Sequence, residues 1–444
     1  MASTYLTQTF GQAPTSNKIG TVSYWCKRSL LSSNQYAGLT WHDAGSSYGT
    51  YWNSSDQIDL WLYYPGSGAN YEGELKTNAK YRDTNGWYHI LFAWDTTQAT
   101  NTNRLKLYVN GEQITDLATA TYPDQNQVVG IGGQTQHRIC ANSDNANTPW
   151  DGLMSHVYYV DGTMMTASDF GSTDATTGEW KINTSPTISS YGNNGFLIMK
   201  DGNTITDQSP NSNNWTLTGT LTNTEDCPSD VFNTCNPLYQ RPTNKTMGFL
   251  YGNTEVWVGT GASDKACGST MAVSKGKFYW EQKIIANDGA GTNASLVGGL
   301  FSVDDFGGES PGSYGAADTC GMAQNGNVWN GTTDLGNFTT APVGGDIFGV
   351  AFDADNGTVK FWRDGVALNS GNAIITGLDT SKTWMPYFVA HSGTGNARTI
   401  NNFGNGYFQT AAITSEGTNA SNIGKFEYDV PTGYTALSTK GLNE

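Results

Sequence analysis

The sequence predicts an all-β protein of two β-sandwiches joined by an ordered, turn-rich connector. Composition, apolar runs of strand length and two hairpin-turn signatures predict it. Charged residues make up only 14% of the chain and aromatics 12%. The polar surface must therefore come from Asn, Thr, Ser and Gly, which are poor in helices and common in turns. Gly 54 and Pro 13 together are about 15% of the chain, below the quarter or so that marks low complexity, so the chain should be folded throughout. At 444 residues it is too long for one core, and each half is large enough to bury its own without a metal or disulfide staple.

The first sandwich is placed at residues 1–162. Thr21 to Trp25 alternates small or polar with apolar residues, and Trp87 to Trp94 is a near-continuous apolar and aromatic run; both lengths suit strands. Leu105, Leu107 and Val109 then share one face of a period-2 stretch ending at Asn110-Gly111, the favoured pair for a two-residue hairpin. A last strand, Leu153 to Val160, stops at Asp161-Gly162. The connector, residues 163–245, opens with Thr166-Ala167-Ser168-Asp169, which looks like a single helical turn. Apolar islands at Gly195 to Met199 and Trp215 to Leu217 suit a segment packed on its neighbours.

The second sandwich is placed at residues 246–414 and followed by a C-terminal tail, 415–444. Lys277 to Ile285 and Val297 to Phe301 read as strands. Ile347 to Asp353 leads through Ala354-Asp355-Asn356-Gly357 into Thr358 to Arg363 and a second turn at Asp364-Gly365, two hairpins in succession. Leu105 to Gly111 and Val359 to Gly365 thus repeat one device, as expected of two sandwiches of related architecture.

Several function classes are disfavoured. The net charge of −16 and the lack of any basic run argue against sequence-independent binding to nucleic acid or anionic lipid. No apolar stretch reaches the length of a membrane span, and Met1 to Thr7 lacks the pattern of a signal peptide, so synthesis in the cytoplasm without membrane insertion is expected. The six cysteines show no metal-ligand spacing and read as small buried residues, with a Cys227–Cys235 bridge as the lesser alternative.

Gly20 to Arg28, Asn85 to His89 and Leu105 to Gly111 together resemble a laminin-G/concanavalin-A-like jelly roll in order and spacing. Gly276 to Glu281, Asp346 to Gly365 and Trp384 to Phe388 resemble the opening strand, late hairpins and following strand of a SPRY domain. The resemblances imply two concanavalin-like jelly-roll sandwiches and, since SPRY domains are generally protein-binding modules, recognition rather than chemistry. Val160 to Thr163, Ala167 to Gly171, Thr177 to Lys181, Tyr191 to Phe196, Asp226 to Ser229, Asn236 to Leu238 and Val430 to Leu437 resemble a segment recurrent in marine-phage structural and fibre proteins. That resemblance implies a virion surface location, other virion proteins as partners and a homo-oligomer, for which a trimer is the expectation.

The chemistry-bearing patterns have bland readings. Concanavalin-like glucanases pair carboxylates on alternate residues of one strand, but the Glu-x-Asp-x-x-Glu pattern is missing, and Glu427-Tyr428-Asp429 reads as solvent-facing strand charge. Gly45 to Gly49 and Gly308 to Gly312 match Gly-x-Ser-x-Gly without the helix a nucleophile elbow needs. Asp353 to Gly357 begins like a calcium loop, yet Asp364 stands where the required glutamate should, so a hairpin turn is the better reading. No cofactor is expected; calcium is left open, because laminin-G-like folds often hold it with loop aspartates, and Asp43, Asp56 and Asp95 are the candidates.

Binding residues are sought among loop aromatics set in Gly, Ser and Asn, a mixture that stacks sugar rings and hydrogen-bonds their hydroxyls. In the first half these are Trp41, His42, Tyr48, Tyr51, Trp52, Tyr63 and Tyr64. In the second they are Tyr314, Trp329, His391 and Arg398. About half of such rings are core in a jelly roll. The expected function is a non-enzymatic phage virion surface protein, a tail fibre or receptor-binding component, that binds a host glycan or protein. Capsid decoration, a head fibre or an adaptor is the alternative, and a polysaccharide-degrading enzyme the least favoured reading.

Overall fold

Ile58, Leu60 and Leu62 are buried, while Asp59 and Trp61 stand between them on the other side of one strand, Ile58–Tyr63. That alternation sorts the first half of the chain into a packed face and an open one. The computed structural model describes residues 4–43, 46–63, 73–200, 202, 204–240, 247–258, 265–286, 296–304, 318–390 and 397–443, and of residues 42–43, 46–48, 63 and 390 only the backbone.

The chain divides into two units. The first comprises residues 1–221 and 227–229; the second comprises 222–226 and 230–444. In the first, an eight-stranded antiparallel sheet runs in the order Leu117–Thr121, Gly73–Thr77, Ile58–Tyr63, Ser46–Trp52, Leu39–Asp43, Gln136–Ile139, Tyr5–Thr9, Thr216–Thr218. A six-stranded sheet, Phe196–Ile198, Gly152–Asp161, Ile19–Arg28, Tyr88–Asp95, Leu105–Val109, Glu112–Gln113, supplies the other layer. Leu60, Trp52 and Leu39 from one sheet meet Tyr24, Phe92 and Leu107 from the other in one core, a β-sandwich.

The second unit repeats the plan. Seven strands run from Cys235–Gln240 through Lys265–Ser269, Trp384–Ala390, Leu296–Ser302, Thr319–Ala323 and Asn327–Asn330 to Thr333–Asn337. The facing sheet is built around Glu255–Val258, Ala397–Asn402, Lys277–Ala286, Ile347–Asp353 and Thr358–Arg363. Leu300, Met322 and Phe388 pack against Trp280, Val350 and Phe361 between them. The described residues contain only short 3-10 turns as helix, the one at Ala167–Asp169 being where a helical turn is expected. There the Thr166 N–H donates to the Asp169 carboxylate at 2.8 Å.

Both hairpins form at the expected turns, and by the same device. Asn110 and Gly111 take left-handed φ of 48° and 86°, Asp364 and Gly365 of 49° and 77°, as a tight two-residue turn requires. The Asn110 side chain accepts from the His89 N–H at 2.8 Å while its own N–H donates to the His89 carbonyl at 2.9 Å. Asp364 does the same with Ile347, at 3.0 and 2.8 Å.

The boundaries differ from the expected ones because segments outside the two strand-rich blocks bury apolar residues within the units. Phe196–Ile198 adds an edge strand to Gly152–Asp161, and Thr216–Thr218 pairs with Tyr5–Thr9. Trp180 stacks on His89, which stacks on Trp25 in turn, with ring centres 5.9 and 4.9 Å apart. The expected connector is therefore divided: its first part completes the first sandwich, and Cys235–Gln240 already belongs to the second. The C-terminal tail is integral too. Thr435–Ala436 runs parallel to Lys277–Ala286, and Phe426, Val430 and Tyr434 are buried.

Two smaller expectations are corrected. Glu427-Tyr428-Asp429 does not form a strand, though Asp429 is exposed as expected; the N–H groups of Glu427 and Tyr428 donate to the buried Glu281 carboxylate at 3.0 and 2.8 Å. Cys227 and Cys235 form no bridge: Cys227 lies 3.3 Å from the Ser229 hydroxyl, Cys235 accepts from the Asn401 amide at 3.6 Å, and all six cysteines are free thiols.

Candidate functional site

The open face of the eight-stranded sheet carries the most developed site. Register sets Tyr51 opposite Asp59 and Asp59 opposite Lys76, while Gly49, Trp61 and Glu74 form the next row. Because side chains alternate, these residues share the face away from the core on which Ile58, Leu60 and Leu75 pack. All but Gly49 line a cleft of about 590 Å³ together with Tyr36 and the turn carrying Asn142, Asn145 and Asn147.

The rings form a small platform. Tyr51 stacks on Tyr36 with centroids 5.3 Å apart and planes at 24°, and Trp61 stands edge-on to Tyr51 at 6.2 Å. Beside them the Tyr51 hydroxyl donates to Asp59 Oδ2 at 3.1 Å, and Lys76 Nζ lies 3.3 Å from the same oxygen and 2.7 Å from Glu74 Oε1. Burial pushes the Asp59 carboxyl above its ordinary pKa against the pull of Lys76, and the hydrogen bond to Glu74 raises the Lys76 ammonium. The turn that walls the cleft is held by its own amides. Asn142 accepts from the Asp144 N–H at 2.8 Å, Asn145 from the Asn147 N–H at 3.0 Å, and Arg138 donates to the carbonyls of Asn142 and Ser143.

Residues 2–168 match the family model of the concanavalin A-like lectin/glucanases superfamily. The cleft residues from Tyr36 to Asn147 fall inside that match, on the concanavalin-like unit. Among solved structures, the chain is similar to the SPRY domain of human HERC1, at 14% identity over 38% of this chain and 96% of that one, TM-score 0.31. It is also similar to the native heptameric SAP-like pentraxin of Limulus polyphemus, at 17% identity over 37% of this chain and 72% of that one, TM-score 0.28. The TRIM65 PSpry domain aligns at 14% identity over 38% of this chain and 88% of that one, TM-score 0.27. No curated protein matches the sequence.

Of the residues expected to bind whose side chains are described, Tyr51 alone lines the cleft. Trp52 and Trp41 are corrected to core positions. Trp52 is 1% exposed because strand alternation turns it inward from Tyr51, and Arg28 lies 4.6 Å above its ring. Trp41 is 8% exposed, packs on the backbone of Gly130 and donates to the Thr135 hydroxyl at 2.6 Å. Arg398 is committed to an ion pair with the fully buried Glu255. Trp329 lies half-buried on the strand Asn327–Asn330 of the second unit. Tyr64, Tyr314 and His391 lie outside the described residues, as do the side chains of His42, Tyr48 and Tyr63.

The calcium candidates do not fit a metal where they are described. Asp56 is occupied by Arg28 at 3.1 Å, Arg82 at 3.2 Å and the Ser32 N–H at 2.7 Å, and Asp95 by Thr97 and Gln98. Asp353 accepts from Asn356 within its hairpin turn and pairs with Lys277 at 3.1 Å. The side chain of Asp43 lies outside the described residues.

A loop-based search missed Tyr36, Asp59, Trp61, Glu74 and Lys76. The signal was present in Ile58-Asp59-Leu60-Trp61-Leu62, where period-2 reading puts a tryptophan and a carboxylate on the polar side of a strand.

Proposed function

We propose that the chain is a non-enzymatic surface protein of a phage-like virion that attaches to host carbohydrate through the cleft of its concanavalin-like unit. The supporting observation is the Tyr36–Tyr51 stack with Trp61 at its edge, set beside the Asp59, Glu74 and Lys76 cluster in one cleft. Aromatic faces take the apolar side of a sugar ring while fixed polar groups take its hydroxyls. The carboxylates suit binding better than hydrolysis. A glycosidase needs one free to donate a proton and the other free to attack, whereas Asp59 and Glu74 both hold Lys76.

Each stacked ring contributes on the order of 1 kcal/mol, so one cleft binds weakly. Several copies on a particle, in a homotrimer or in an array of subunits beside other virion proteins, raise avidity by roughly 10²–10⁴. Trp61→Ala and Tyr51→Ala should each weaken oligosaccharide binding about fivefold and lower virus adsorption, with little change in melting temperature. Variants that bind and adsorb like the parent would sink the reading. Immunogold labelling of intact virions separates its two placements: label on tails fits attachment, and label confined to heads moves the assignment to decoration.

A further inference from the structure

We infer that the cleft selects neutral, hydroxyl-rich saccharides and rejects glycans bearing carboxylate or sulfate groups. The inference rests on the carbohydrate reading above and names the ligand class for that site.

Lys76 is the only cation among the described residues lining the cleft, and it is spent: its ammonium sits between Glu74 at 2.7 Å and Asp59 at 3.3 Å. An acidic sugar would have to break this cluster or approach two carboxylates with one ammonium between them, and it would do so on a chain whose net charge is −16. A hydroxyl meets no such cost, because it both donates and accepts. The cleft offers the two kinds of partner on different sides. On the sheet, Glu74 gives only Oε1 to Lys76, which leaves its other carboxylate oxygen as an acceptor, whereas the unpartnered Asp59 Oδ1 is closed off beneath the surface. On the walls, Asn34, Asn142 and Asn145 each give the carboxamide oxygen to a backbone N–H, at 2.9, 2.8 and 3.0 Å. What remains of each amide is its N–H pair, a donor. Acceptors on the sheet and donors on the walls, around stacked rings, complement a neutral sugar with hydroxyls along both edges.

The test is calorimetric titration of the full chain with cellohexaose, maltohexaose, mannohexaose and, as the acidic probe of equal length, hexagalacturonate. At least one neutral hexasaccharide should bind, with hexagalacturonate at least tenfold weaker. The neutral affinity should fall about fivefold in Tyr51→Ala and, in the parent, hold between about 0.05 and about 0.5 M salt, since no ion pair to the ligand is made. Glu74→Gln, which leaves Lys76 to Asp59 alone and removes a negative charge from the cleft, should narrow the gap by admitting hexagalacturonate. Hexagalacturonate binding as tightly as the neutral sugars, or more tightly, overturns the inference and leaves the carbohydrate reading standing. Failure of all four to bind overturns the carbohydrate reading itself.

Discussion

Replacing Trp52 with alanine is expected to cost about 3–5 kcal/mol of stability, the range for emptying a buried aromatic site. The ring is 1% exposed and fills the core between Tyr88 and Trp150, with centroids 5.3 and 6.0 Å away. It also lies under the guanidinium of Arg28, which is itself fully buried and has no hydrogen-bond partner at Nε. The truncation therefore leaves both a cavity and a charged group with less to pack on. Tyr51, one residue earlier on the same strand, should show the opposite phenotype, with stability kept and binding reduced. Urea unfolding of both variants separates these outcomes. A loss below about 1 kcal/mol in Trp52→Ala would place the ring outside the core.

Acidification should move the stabilities of the two units in opposite directions. In the first, burial lowers His89 and His137 from 6.5 to about 3, for His137 against the Thr135 carbonyl at Nδ1, which favours the protonated ring. His89 Nδ1 accepts from the Trp180 indole N–H at 3.1 Å, and His137 Nε2 accepts from the Gly132 N–H at 2.9 Å. Neither donor can turn into an acceptor, so an imidazolium would set N–H against N–H. A depressed histidine pKa means that the unfolded chain takes up the proton first. Stability is present above about 6.5 and is lost as the pH falls, by about 2 kcal/mol for each histidine at pH 5.

In the second unit, burial raises Glu281 from 4.5 to about 7, against the N–H donors of Glu427, Tyr428 and Asn402. Here the native state keeps a proton that the unfolded chain has released. The contribution is full below about 4.5 and is lost as the pH rises through 7, a span worth about 3 kcal/mol. Hydrogen exchange followed unit by unit at pH 5 and pH 8 should show the first unit more protected at pH 8 and the second at pH 5. In Glu281→Gln the second unit's pH response should flatten. Parallel responses of the two units, or a Glu281→Gln variant that keeps the slope, would contradict the assignment.

Much of the architecture could be read locally. Asn110-Gly111 and Asp364-Gly365 mark their hairpins because few residue pairs tolerate two successive left-handed conformations, and both turns appear where the sequence puts them. The strand at Tyr88–Asp95 follows from an apolar run of suitable length, buried throughout. The match of residues 2–168 agrees with the jelly-roll pattern read from Gly20 to Gly111.

The limits of the units were not local. Trp180, Phe196 and Thr216 to Thr218 sit among Ser, Thr and Asn, and only pairing with strands far along the chain makes them part of the first sandwich. The binding face escaped for a related reason. Aromatics near glycine and serine resemble loop residues whether they lie in loops or on strands, so Tyr51 and Trp52 read alike. Sheet formation then turned one ring toward the cleft and the other into the core.

By itself, then, the sequence determined the strand-forming runs, the turns between them and the acidic, weakly charged surface, because backbone preference and period-2 patterning act over a few residues. Only the tertiary structure decided that Tyr36, Tyr51, Asp59, Trp61, Glu74 and Lys76 share one cleft. Their meeting depends on the register of three consecutive strands and on the turn at Asn142 to Asn147, brought beside Tyr36 by long-range bonding such as that from the Tyr36 N–H to the Thr148 carbonyl at 3.2 Å.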